Sequence, residues 1–280
     1  MKLGMNLLLW SNHINESHYS TISNLKNFGF DGVEIPILQG SINEYKILGR
    51  FLKDEGLDST AVIIVPNHEE SPLNSNPLNR IKSLDVMKYK TDCCHAMGGS
   101  MIVGPFHSAL GRFSGHPPTE IEIQNAAEVH RKLADYGASC GISYSIEWLN
   151  RFECYFLNTM NDAVNYVKTV GHSNFGTMYD TFHANIEEKN QVLSIRKNAE
   201  FIKHFHVSEN DRGAPGSGQI NFNKILTELK ISGYDQWLMI EAFGRDLPEL
   251  AAATHVWRDF SSPDDVCKSG AWLRNIWANT

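Results

Sequence analysis

Eight apolar runs of strand length recur along the chain, at Leu3–Leu9, Gly32–Ile35, Thr60–Val65, Met101–Val103, Ile142–Ile146, Gly176–Tyr179, Ile202–Val207 and Trp237–Ile240. The second run stops at Pro36, which cannot donate to a sheet ladder and so marks a strand end. Segments of helical spacing lie between the runs. In Ile121–Tyr136, residues Ile121, Ile123, Ala127, Val129, Leu133 and Tyr136 share broad faces. Met160–Val170 is opened by Thr159 with Asp162 three residues on, a capping-box pattern. Asn221–Leu229 closes near Gly233. Regular alternation of eight strands with helices predicts an α/β fold, a (β/α)8 TIM barrel. A doubly wound sheet would carry a Gly-rich turn after its first strand, and here that position reads LLLWSNHINES. With no linker or low-complexity tract, residues 1–280 read as a single domain, with a C-terminal tail from about 260 to 280 and a last helix near Pro263–Trp277.

Composition narrows the function classes. The chain of 280 residues is 42% hydrophobic and 20% charged, a globular balance that excludes disorder. Its net charge of −7 opposes a nucleic-acid partner, because phosphate binding wants a positive surface. No apolar run approaches the roughly 18 residues of a membrane span, and MKLGMNLLLWSNH reads as a first strand rather than a signal peptide. The five cysteines, Cys93, Cys94, Cys140, Cys154 and Cys267, include no CxxC and read as buried or incidental thiols in a reducing cytoplasm.

In a barrel of this kind the active site lies at the C-terminal ends of the strands. The fifth run is followed by Glu147, the sixth by Asp180 and the eighth by Glu241, while the seventh carries His204 and His206. From Glu147 through Asp180 and His206 to Glu241 the gaps are 33, 26 and 35 residues, each close to one βα unit. Singly, each has an ordinary structural explanation: a solvated loop Glu, a turn-forming Asp, a core His. Together they read as a metal site. The set is hard and oxygen-rich, suited to Mn²⁺, Mg²⁺ or Co²⁺ rather than a structural zinc. Such an ion polarises a carbonyl, and flanking carboxylates can move a proton on the neighbouring carbon. Period-two geometry puts His204 and His206 on one face, and His206 is nearer the rim. The segment GAPGSG, Gly213–Gly218, lacks the Lys-Ser/Thr of a nucleotide loop and reads as a flexible rim or lid.

Seven segments carry a family resemblance: IEWLNRFE (146–153), YFLNT (155–159), DTFHANIEE (180–188), HFHVSENDR (204–212), PGSGQI (215–220), IEAF (240–243) and VWRD (256–259). In this order they resemble the ketose 3-epimerases, the D-tagatose/D-psicose 3-epimerase group of the xylose-isomerase-like barrels. The resemblance runs from about Met1 to Asp259 and is dense from Ile146 onward. It implies a divalent ion, Mn²⁺ first with Co²⁺ or Mg²⁺ as alternatives, held by Glu147, Asp180, His206 and Glu241. It also implies that Glu147 and Glu241 form the acid/base pair that inverts C3 of a free ketose through a cis-enediolate. Glu153, His183 and Arg212 match positions that bind the O1 to O3 end of the sugar. A homodimer or homotetramer is implied as well. The departures are in the first half: Asn6-Leu7-Leu8-Leu9 before Trp10, and GPFHSALGRFSG with Phe106, His107 and Phe113. In the family these regions shape the pocket for the distal sugar carbons.

Three rival readings stand beside this one. An aldose–ketose isomerase, or a hydroxypyruvate- or inosose-type isomerase or lyase, would use the same barrel and ion. An apurinic-site endonuclease needs three zinc ions and a basic groove, which the charge opposes. A non-catalytic barrel would not be expected to keep both carboxylates.

Overall fold

Strands form at each of the eight apolar runs. The computed structural model describes residues 1–259 and 261–280. The strands are β1 (Lys2–Asn6), β2 (Gly32–Pro36), β3 (Asp58–Val62), β4 (Met101–Gly104), β5 (Ser143–Ile146), β6 (Phe175–Asp180), β7 (Ile202–Val207) and β8 (Trp237–Ile240). They pair in sequence order, all parallel, and β1 closes on β8 with Met5 opposite Ile240. The helices are α1 (Tyr19–Asn27), α2 (Ile42–Glu55), α3 (Pro77–Met97), α4 (Glu120–Cys140), α5 (Met160–Val170), α6 (Thr181–Glu187), α7 (Gln191–Asn198), α8 (Phe222–Ile231), α9 (Pro248–Ala253) and α10 (Pro263–Asn279). The fold is the single (β/α)8 barrel that the alternation predicts.

Two strands end earlier than the apolar pattern. In β1 the side-chain oxygen of Asn6 accepts the backbone N–H of Leu8 at 2.9 Å, turning Leu7–Leu9 into a 3₁₀ turn. Those leucines are still buried, so apolar character outlasts strand geometry. The third run is displaced in the same way: β3 ends at Val62, while Ile63 and Val65 are buried in the connection that follows. The helix caps match the sequence more closely. Thr159 and Asp162 form the expected capping box at α5, each side chain bonding the other's backbone. In α4, Ala127, Val129 and Leu133 face the core, but Ile121 lies on the solvent side.

The C-terminal segment is part of the outer ring rather than a tail. Leu273 of α10 is fully buried, Gly270 packs against Phe30 and Leu3, and Arg274 pairs with Asp31 at 2.7 Å. All five cysteines are free and four are buried, with burial pushing the Cys94 thiol up to about 12. Among the described residues no helix is long and apolar enough to cross a membrane.

Candidate metal and catalytic site

The parallel register carries Glu147, Asp180, His206 and Glu241 to one end of the barrel. Glu147 follows β5 and its N–H still bonds the β4 carbonyl of Gly104 at 3.0 Å. Glu241 follows β8 and donates to Val207 at 3.2 Å. Asp180 is both the last residue of β6 and the cap of α6. Its Oδ1 accepts the N–H of Phe182 at 2.6 Å, which leaves Oδ2 for the site. The structural role that a lone Asp suggests and the ligand role are therefore divided between its two oxygens. One ligand atom from each of the four residues lies within 4.8 Å of the others, and all four residues are buried.

The donor set fits a divalent cation. Three carboxylates converge here, and among the described residues Arg212 is the permanent cation paired with two of them. Its Nη1 lies 2.7 Å from Glu241 Oε2 and 3.1 Å from Asp180 Oδ2. Burial, then the nearby charges of Glu241 and Asp180, push Glu147 well above the usual carboxylate range. Against its own desolvation, Asp180 is held well below its ordinary value by Arg212 and His183. His206 is also buried, yet Glu241 and Glu34 outweigh the desolvation and hold its pKa well above normal. Its Nδ1 has no hydrogen-bond partner among the described residues, although Glu241 Oε1 is 3.3 Å away and Asp180 Oδ2 is 3.8 Å away. A nitrogen aimed between two carboxylates holds a proton there in the ion-free protein, and a bound cation would take that proton's place.

The three residues expected on the sugar side form a connected group. His183 is buried on α6, where its Nδ1 accepts the backbone N–H of Asn150 at 3.1 Å. That bond fixes the proton on Nε2, which lies 3.6 Å from Glu147 Oε1 and 3.1 Å from Arg212 Nη2. Burial lowers the pKa of His183, so the ring is neutral. The Asn150 amide also donates to Glu153 Oε1 at 2.8 Å. Glu153 is therefore tied to His183 through Asn150. Arg151, two residues before Glu153, pairs with Glu187 at 2.8 Å. Arg212 is held between the rings of Phe182 and Phe243, 3.9 and 4.8 Å from their centroids. Its backbone is left-handed, at φ 65°.

The loop after β7 is pinned, contrary to the flexible rim that its glycines predict. The buried Glu209 carboxylate accepts the N–H groups of Asn210, Gly216 and Ile220 at 3.0, 2.9 and 3.1 Å. Ala214 N–H is bonded to Ser261 at 2.8 Å. Gly218 is required by this packing, since a Cβ there would lie 2.6 Å from Glu209 Oε1.

Of the first-half residues, Phe106 is core, edge-on to His130, Tyr144 and Phe175. His107 is fully buried and Phe113 is about half exposed. A cavity of about 450 Å³ at the C-terminal end is lined by Leu8, Leu38, Ile64, Leu110 and Leu250, with Asn12 among its few polar groups. The β1 and β4 connections thus contribute leucines to it rather than aromatics. Glu34 and Asn6, on β2 and β1, also reach this centre, Glu34 at 2.8 Å from His206 and Asn6 at 3.0 Å from Glu241. The available signal was a single carboxylate inside the apolar run GVEIP, since a charge buried in a central strand needs a partner.

A barrel with a carboxylate–histidine cluster at its C-terminal rim belongs to a well-populated class, and comparison with known proteins defines it further. The family model described as "Xylose isomerase-like TIM barrel" matches residues 22–275. The ketose 3-epimerase of Arthrobacter globiformis is 26% identical over 262 residues, covering 92% of this chain and 90% of that protein. The D-psicose 3-epimerase of Agrobacterium fabrum is 28% identical, covering 99% and 97%. The crystal structure of D-psicose 3-epimerase with D-tagatose from Clostridium cellulolyticum H10 superposes with a TM-score of 0.89 at 25% identity, covering 100% of this chain and 99% of that one. The chain belongs to the xylose isomerase-like TIM barrel family.

Proposed function

We propose that this protein is a divalent-metal-dependent isomerase that inverts C3 of a free ketose, with Glu147 and Glu241 as the acid/base pair. The observation that carries the reading is the arrival of two carboxylates at one centre from β5 and β8, which are not neighbours in the barrel. Epimerisation needs a group on each face of the carbon, one to remove the proton and one to return it to the other side. Glu147 and Glu241 supply that pair. Relatives named as ketose 3-epimerases, matched over nearly their whole length, support the same chemistry.

Glu147, Asp180, His206 and Glu241 would hold the ion, for which the oxygen-rich set favours Mn²⁺, with Co²⁺ or Mg²⁺ as alternatives. When bound, the ion would polarise the ketose carbonyl and acidify the adjacent C–H. His183 Nε2 and Arg212 Nη2 lie 3.1 Å apart on the sugar side of the site. An oxygen that gains negative charge as C3 loses its proton would find both in place. Glu153, through Asn150, keeps His183 in the tautomer that donates. With no basic cluster near the site beyond Arg212 among the described residues, a free sugar suits it better than a sugar phosphate. A homodimer or homotetramer in the cytoplasm completes the proposal, and the buried free thiols fit a reducing compartment.

The test is hydrogen exchange. The Mn²⁺-loaded protein is offered a panel of ketoses in D₂O and the products are read by NMR. Deuterium at C3 is expected. Deuterium at C1 with none at C3 would replace this reading with aldose–ketose isomerisation.

A further inference from the structure

We propose that Glu34 is a positioning residue for the metal site: it sets the tautomer of His206 and, through Asn6, the orientation of Glu241. The proposal rests on the metal reading above and goes beyond it, because Glu34 is not one of the four ligands.

Glu34 is fully buried on β2, across the barrel from the residues it serves. Each of its oxygens is committed. Oε1 accepts the Nε2–H of His206 at 2.8 Å and the Asn6 amide at 3.0 Å. Oε2 accepts the Thr60 hydroxyl at 2.8 Å and lies 3.0 Å from His204 Nε2. A carboxylate filled in this way does not turn. An ionised carboxylate can only accept, so the nitrogen of His206 that faces it must carry the proton. Nδ1, which faces Glu241 and Asp180, is then the nitrogen that gives up its proton when an ion binds. A metal-binding histidine needs this state, with one nitrogen anchored through its proton and the other free to coordinate.

Asn6 extends the arrangement to Glu241. Its amide nitrogen has two hydrogens, and it lies 3.0 Å from Glu34 Oε1 and 3.0 Å from Glu241 Oε1. The amide cannot be flipped, because its oxygen is already accepting the backbone N–H of Leu8. The bond that ends β1 therefore also fixes which end of Asn6 faces the two glutamates. Glu241 Oε2 is taken by Arg212, so the carboxylate is held at both oxygens.

Glu34, His204 and His206 also lie close enough together to form a metal-ligating group of their own. The hydrogen-bond distance from Glu34 to His206 and the filled valences of Glu34 favour the positioning role over a second ion.

Calorimetric titration of the chelator-stripped protein with Mn²⁺ tests this. Wild type is expected to take one ion per chain. Glu34→Gln keeps the shape and an acceptor but loses the charge, and Mn²⁺ affinity is expected to fall about 10-fold. Glu34→Met removes both, and the loss is expected to approach 100-fold. In ¹⁵N-histidine-labelled, Mg²⁺-loaded protein, His206 is expected as the Nε2–H tautomer in wild type and as a mixture in Glu34→Met. A purely structural role would not move that signature. Should Glu34→Met fail to fold, the isosteric Glu34→Gln still carries the affinity test. Unchanged Mn²⁺ affinity in the foldable variants would overturn the proposal while leaving the metal site standing. Two ions per wild-type chain would overturn it in favour of Glu34 as a ligand. No ion on wild type would remove the metal reading and this proposal with it.

Discussion

Arg212 Nη1 lies 2.7 Å from Glu241 Oε2, so a guanidinium occupies one oxygen of a carboxylate that the proposed chemistry also needs. The pair is buried, and its cost of burial is offset only while both members remain. Arg212 therefore has two roles. It counters the charge of Asp180 and Glu241 in the ion-free protein, and in the proposed reaction it would present a cation where charge develops on the sugar.

Arg212→Ala should separate those roles. Turnover is expected to fall about 10²–10³-fold, the scale for losing one donor to a developing oxyanion. The ion-free variant should lose on the order of 3–5 kcal/mol of stability through its uncompensated carboxylates. Thermal unfolding with and without Mn²⁺ checks this, because added ion should raise the melting temperature of the variant more than that of wild type. Equal ion-induced shifts would mean that Arg212 does not share the site's charge balance.

Glu147→Gln and Glu241→Gln should each abolish epimerisation while leaving the fold intact. Glutamine preserves the shape and offers an oxygen, but it cannot accept the proton. Product formation over long incubations, alongside circular dichroism, is the measurement. Substantial turnover in either variant would remove that residue from the acid/base pair.

Glu209→Ala should loosen the β7–α8 loop by releasing the three backbone N–H groups that its carboxylate holds. Arg212 sits in this loop with a left-handed backbone, so its aim depends on the anchor. A displacement on the order of 1 Å would cost roughly 10²-fold in kcat/KM. Limited proteolysis should then cut within residues 213–218 of the variant and spare wild type. Resistance equal to wild type would show that other contacts hold the loop.

His130 should make the fold sensitive to acid independently of the site. Its Nε2–H donates to the Phe106 carbonyl at 3.1 Å, its Nδ1 accepts from Tyr166, and burial lowers its pKa to about 4. An unfolded chain takes up this proton as pH falls through about 6.5, whereas the folded protein resists it until about 4. The neutral-ring contribution is complete above the unfolded value. It is lost progressively across that window, roughly 3 kcal/mol in all. Urea unfolding between pH 7 and 4 should show this slope in wild type and a shallower one in His130→Gln. Parallel curves would rule His130 out as the source.

Much of this molecule was readable along the chain. The strands sit in buried parallel positions, so they appear as apolar runs, and the chain leaves each run at the end of the barrel where chemistry collects. That is why Glu147, Asp180 and Glu241 are legible in the sequence. The run Leu3–Leu9 misled for a local reason: apolar side chains are needed both in a strand and in the turn above it, and a single cap by Asn6 ends the strand. The glycines of residues 213–218 misled for the opposite reason, because the anchor that stiffens the loop is a carboxylate at its base rather than anything within the run.

The sequence by itself determined the barrel, its register of alternating elements and the four residues that gather at its rim. Each of these depends on local pattern and on the distance from one strand end to the next. The tertiary structure alone decided how those residues are aimed. Glu34 and His206 are 172 positions apart and Asn6 and Glu241 are 235 apart, and only closure of β1 on β8 brings the first two strands beside the last two. A tautomer, the aim of a buried nitrogen and a left-handed arginine are set by which groups meet across that closed sheet, and no spacing along the chain encodes such a meeting.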